Sequence, residues 1–129
     1  MINLVFSEMN LGVTFLIRKA KYLFKKIVML HHIVMWTLKD YAEGNSKKEN
    51  ALLMKAGFEK LLPSIKEIKK LEVGINMRSS QYANFDIVLD TWFENYDEME
   101  IYQKHPLHIE ISGWIRKIRK TRAAVDYEI

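Results

Sequence analysis

At 129 residues, with 49% hydrophobic and 28% charged side chains, the chain is one domain of ordinary globular sequence, long enough to bury a core without disulfides or structural metal. It contains no cysteine, which excludes a disulfide framework, a thiol nucleophile and a zinc–cysteine centre and leaves the cytoplasm as the default compartment. The net charge of +4 belongs to the first thirty residues, where Arg18, Lys19, Lys21, Lys25 and Lys26 stand against Glu8; the remainder is neutral, so a basic nucleic-acid face on the main domain is not expected.

Residues 1–28 differ in character from the rest of the chain. The apolar run Leu11 to Ile17 is too short to span a bilayer, and the cations come after it instead of preceding it, which argues against a secretory signal. Leu16, Ala20, Leu23, Phe24 and Ile27 recur at helical spacing with most of the cations elsewhere on the wheel, predicting a short basic amphipathic helix. Three readings stand: a leader upstream of a start at Met29, a helix docked on its own domain or a partner, and a membrane-contacting face confined to residues 15–28. The expected division is a basic extension over 1–28 and a folded domain over 29–129.

His31 to Leu38 is rich in β-formers and bounded by Lys39-Asp40 and a turn at Glu43-Gly44-Asn45. Alternation puts His32, Val34, Trp36 and Leu38 on one face and His31, Ile33, Met35 and Thr37 on the other, so both faces need cover. Ser46-Lys-Lys-Glu49 is a capping box opening a helix whose stripe runs Ala51, Met54, Phe58, Leu61, Leu62 and Ile65. Pro63 is expected to bend or end it, with a last turn through Ile68. Second and third strands are predicted over Leu71 to Met77 and Phe85 to Phe93. Asn95 with Glu98 caps a second helix, which breaks before Pro106 and resumes with that proline in its first turn. Its stripe continues through Leu107, Ile111, Trp114, Ile115 and Ile118, with Arg116, Lys117, Arg119 and Lys120 near its end as complements to the helix dipole. A fourth strand is predicted over Ala123 to Ile129.

This βαββαβ order predicts a ferredoxin-like α+β sandwich: a four-stranded antiparallel sheet with helices on one face. The other face, carrying Ile33, Met35, Val88 and Trp92, has no cover within one chain. A twofold-related copy is the simplest partner, giving a homodimer with two sheets face to face.

Tyr102-Gln-Lys-His105-Pro106-Leu-His108 gathers a phenol and two imidazoles around one proline, the one place where groups able to exchange protons near neutral pH collect. His105 is read as fixing the bend, and a His108 imidazole hydrogen-bonded to Tyr102 as a base able to remove a proton beside a carbonyl. No nearby carboxylate completes His105 and His108 as metal ligands, so no metal is expected.

Five segments in order, His31-His32-Ile-Val-Met-Trp-Thr-Leu-Lys39-Asp40, Leu71-Glu-Val-Gly74-Ile-Asn, Phe85-Asp86-Ile-Val-Leu, Tyr102-Gln-Lys-His105-Pro106-Leu-His108 and Val125-Asp126-Tyr127-Glu128, resemble the stress-responsive A/B barrel (Dabb) family from about Met29 onward. The resemblance implies a dimeric α+β barrel without cofactor, with a mainly apolar pocket between sheet and helices for a small organic molecule. In a plant polyketide cyclase of this kind a tyrosine and a histidine form the acid/base pair; those roles fall on Tyr102 and His108, with His32, Val34, Trp36, Ile87, Leu89 and His105 as ligand-binding candidates. The cyclase has a further pocket histidine where this chain has Ile87, so the same reaction is not implied. The competing reading is a stress-associated structural or interaction protein whose pocket is plugged by Trp114, Met54 or Phe58.

Overall fold

The computed structural model describes residues 12–20 and 28–129. Residues 12–20 are helical and exposed; the rest of the predicted basic helix, residues 21–27, lies outside the described residues.

The domain begins with β1, Leu30–Leu38, the strand on which the sheet is built. Two short strands come next, β2 (Tyr41–Ala42) and β3 (Asn45–Ser46). They are joined by Glu43 and Gly44 at φ 52° and 80°, the left-handed pair that a two-residue hairpin requires and that Gly44 adopts without steric cost. The sequence showed the turn but not its two flanking strands.

Helix α1 spans Lys47–Glu59 and starts with the expected capping box. Glu49 N–H donates to Ser46 Oγ at 3.2 Å, and Ser46 N–H donates to Glu49 Oε2 at 2.8 Å. The helix stops before Pro63's own turn, at Lys60, and a separate short helix α2 spans Leu61–Ser64. The proline ring would collide with the Glu59 carbonyl four residues back; with the break at Lys60, Pro63 falls in the first turn of a new helix, where a missing N–H costs nothing. Ile65 then turns extended, so the expected helical turn through Ile68 does not form.

Strands β4 (Lys70–Ile75) and β5 (Ile87–Phe93) precede α3 (Tyr96–Lys104), α4 (Pro106–Ile118) and β6 (Arg119–Glu128). The sheet order is β4-β5-β1-β6, antiparallel throughout, so β1 lies in the interior beside the final strand. This is the predicted ferredoxin-like arrangement. One boundary moves in a way that matters: β6 begins at Arg119, four residues before the expected Ala123. β1 is long enough to pair through Leu38 with Arg119, so the chain enters the ladder as soon as α4 ends, although its basic side chains carry no strand signature.

The helix-facing side of the sheet forms the core. Val34, Trp36 and Leu38 of β1 and Ile87, Leu89 and Phe93 of β5 pack against Met54 and Phe58 of α1, Met99 and Tyr102 of α3, and Ile115 and Ile118 of α4. Gly57 lets α1 approach α4 closely, since a Cβ there would come within 2.8 Å of Ile111 Cδ1. The opposite side carries Ile33, Met35, Val88 and Trp92, with none of the helices α1 to α4 over it, and is continued on β6 by Val125 and Tyr127 at 54% and 38% exposure. His31 lies on this side, as its alternation predicts, between Trp92 and Tyr127 and with Nδ1 at 3.5 Å from Asp90 Oδ1.

Candidate functional site

Between the β1–β6 half of the sheet and the helices is a cavity of about 480 Å³. Its inner wall is apolar: Val34 and Trp36 from β1, Leu89 from β5, Phe58 from α1 and Ile115 from α4. Trp36 and Phe58 stack at 5.6 Å and floor the cavity without filling it, and Trp114 does not line it. Of the three predicted plugs, Phe58 is in the lining, and Trp114 and Met54 are not.

The helix break places the chemistry. α3 ends at Lys104 and α4 starts at Pro106; between them His105 is extended, with φ −64° and ψ 136°, which proline imposes on the residue before it. His105 Nδ1 accepts from Leu107 N–H at 3.1 Å, making it the N-cap of α4. Tyr102, in the last turn of α3, and His108, in the first turn of α4, thereby face one another across the bend with ring centroids 4.4 Å apart.

They do not hydrogen-bond as the sequence suggested. His108 Nδ1 lies 3.0 Å from the Gln103 carbonyl, and a carbonyl can only accept, so Nδ1 carries the proton. The neutral ring then has its lone pair on Nε2. Burial is the main cause holding this imidazole below its ordinary 6.5; the Gln103 bond opposes the shift, and His32, Arg122 and His105 add to it. Tyr102 is 0% exposed, wedged against Phe93 at 5.0 Å, and its hydroxyl has no hydrogen-bond partner among the described residues. Burial pushes the phenol well above the ordinary tyrosine range, only partly countered by the Arg122 guanidinium, so it stays a proton donor at neutral pH.

His32 completes the group. Its Nδ1 lies 2.5 Å from Asp126 Oδ1 across the β1–β6 pair, where His32 and Asp126 are register partners. The carboxylate takes the Nδ1 proton as a hydrogen bond and fixes the ring's orientation.

Six of the predicted residues thus meet at one cavity: His32, Val34, Trp36, Leu89, Tyr102 and His108. Two do not. Ile87 is buried on the same sheet face but outside this lining, and His105 is occupied with capping α4. Sequence reasoning missed Gln103, Ser112, Arg116, Arg119 and Arg122, all of which line the cavity and make it polar at one end where a mainly apolar pocket was expected. Arg119 and Arg122 arrive there because β6 starts early, and Arg122 lies opposite Trp36 in the ladder. Counting back in steps of two from Asp126, which pairs with His32, would have placed Arg122 on this face. Among the described residues no group of three His, Cys, Asp or Glu side chains is arranged to hold a metal.

Fold and site together define a ferredoxin-like α+β domain with a basic-mouthed cavity beneath its helices. The chain belongs to the stress-responsive A/B barrel domain (Dabb) family, which it matches over residues 30–129. A dimeric protein of unknown function from Bacteroides fragilis with a ferredoxin-like fold is 32% identical, the match covering 78% of this chain and 96% of that one at a TM-score of 0.66. A dimeric ferredoxin-like protein of unknown function from Thermobifida fusca is 20% identical over 79% of this chain and 92% of its own, at a TM-score of 0.68. The hydroxynitrile lyase of Passiflora edulis shares the fold at 16% identity, over 78% and 93% of the two chains, at a TM-score of 0.65. No curated protein matches the chain.

Proposed function

We propose that residues 29–129 act as a cofactor-independent domain that binds a small organic carbonyl compound in the cavity and moves a proton on it. The observation that supports this most is the pairing of a buried phenol without a partner among the described residues and an imidazole whose Nδ1 is tied to Gln103, both lining one cavity. His108 Nε2 is the base that accepts a proton from the carbon beside the carbonyl. The Tyr102 O–H donates to the carbonyl oxygen as negative charge develops there. His32, steadied by Asp126, borders the same space as a second hydrogen-bonding group. That the fold can house an enzyme is supported by the hydroxynitrile lyase among its structural relatives.

The reading is tested by following exchange of the benzylic protons of phenylacetone in D₂O by NMR across pH. Because His108 sits below its ordinary 6.5, its base form prevails at neutral pH, and exchange should be flat above pH 6.5 and fall on the acid side. Stability has the same sign: between the two values the unfolded state binds more protons at this residue, so its contribution is full above pH 6.5 and is lost as pH falls through the folded value. No catalysed exchange at any pH, or a midpoint above 6.5, would contradict the assignment.

A second copy of the chain is the natural cover for the open sheet face of Ile33, Met35, Val88, Trp92, Val125 and Tyr127, and the structural relatives from Bacteroides fragilis and Thermobifida fusca are dimeric. Light scattering at micromolar concentration should give twice the 15.3 kDa chain mass; a monomer would rule the pairing out. No helix among the described residues is long and apolar enough to cross a membrane. Function in the cytoplasm is part of the same proposal.

A further inference from the structure

We propose that the carbonyl compound is itself an organic acid: its apolar body, carrying the carbonyl that meets Tyr102 and His108, lies on Trp36 and Phe58, and its carboxylate is held at the mouth by Arg116, Arg119 and Arg122. This rests on the reading of the cavity as a ligand site and goes on to name the chemical class that fits it.

The charge lining the cavity is one-sided. Among the described residues three guanidinium groups border it, and no aspartate or glutamate does. The nearest carboxylate placed by the ladder, Asp126, is engaged with His32. Five lysines elsewhere, Lys47, Lys55, Lys69, Lys70 and Lys104, each have a carboxylate within 4 Å. Arg116, Arg119 and Arg122 have none among the described residues. Three like charges brought together at a concave surface repel one another unless an anion joins them, so the arrangement itself lowers the free energy of anion binding.

The cations are also sorted by depth. Arg116 and Arg122 are exposed and Arg119 is half-buried, whereas Phe58, Leu89 and Tyr102 are buried at the other end of the same space. A ligand matching this gradient has its charge at one end and its apolar mass at the other. Planar guanidinium forks suit a carboxylate through paired N–H···O bonds. Ser112, one helical turn before Arg116 on α4, adds a neutral hydroxyl beside them. A cavity of about 480 Å³ takes a body the size of a substituted ring or a short chain, and its aromatic and aliphatic floor favours such a body over a bare inorganic anion.

Calorimetric titration of the full chain with phenylacetate, phenylacetamide and inorganic phosphate tests this, in the native protein and in Arg119→Gln and Arg122→Gln. The acid should bind about tenfold or more tightly than the amide, and each arginine substitution should shrink that ratio toward one, as expected for loss of a charge-assisted hydrogen bond. Circular dichroism of each variant should match the native protein. Equal affinity for acid and amide, unchanged by either substitution, would overturn the organic-acid assignment while leaving the cavity as a binding site. Phosphate binding more tightly than phenylacetate would overturn it in favour of a plain anion site. Binding of neither organic probe to the native protein would overturn both this inference and the ligand-site reading beneath it.

Discussion

Replacing His108 with glutamine should lower proton exchange on a bound ketone by about 10²–10⁴-fold, the usual contribution of a positioned general base, while the fold stays intact. Glutamine can keep a hydrogen bond to the Gln103 carbonyl but has no basic nitrogen at the place of Nε2. Tyr102→Phe should behave differently on two axes. Exchange should again fall, but stability should hold or rise by about 1 kcal/mol, because the substitution deletes a buried hydroxyl that has no partner among the described residues. Stability lost by about 1 kcal/mol or more in Tyr102→Phe, with exchange unchanged, would make the hydroxyl structural. Urea denaturation alongside the exchange assay separates the two outcomes.

The largest stability effect is expected at Phe93. Its side chain is fully buried at the end of β5 and packs on Tyr102 at 5.0 Å. Truncation to alanine removes a ring from the helix–sheet interface and should cost about 3–5 kcal/mol in urea denaturation. That approaches the whole stability of many single domains. Phe93→Leu keeps most of the volume and should cost far less, yet it withdraws the ring that holds Tyr102 toward the cavity. Exchange should therefore drop in Phe93→Leu more than its small stability loss accounts for. A leucine variant with native exchange would show that Tyr102 is positioned by the α3 backbone alone.

Local patterns carried most of the fold. Period-two alternation separated His31 from His32, and the ladder does place them on opposite faces of the sheet. The capping residues Ser46 and Asn95 marked helix starts that the structure keeps, with Glu98 N–H donating to Asn95 Oδ1 at 2.9 Å. Pro106 marked the bend. What failed were features decided at long range. The β6 boundary depends on how far β1 offers pairing partners, which the Arg119 to Arg122 stretch cannot announce through its own composition. Misplacing that boundary hid the arginines, because cations after a helix read as complements to its dipole. The His32–Asp126 contact joins residues 94 apart in sequence, and no local spacing encodes it. Tyr102 and His108 were the right neighbours in the wrong relation: the bend was legible, but whether their polar atoms or their rings met depended on Gln103 offering a closer acceptor.

The central claim is that Tyr102 and His108 meet a ligand inside the cavity they line. Its most direct test is the imidazole nitrogen spectrum of His108 during titration with phenylacetone, in the native protein and in Ser112→Trp, where an indole on α4 fills the space. The expected result is a saturable shift of His108 Nε2 in the native protein and none in the filled variant. A native His108 resonance that does not move at saturating ligand, or one that moves equally in Ser112→Trp, would contradict it.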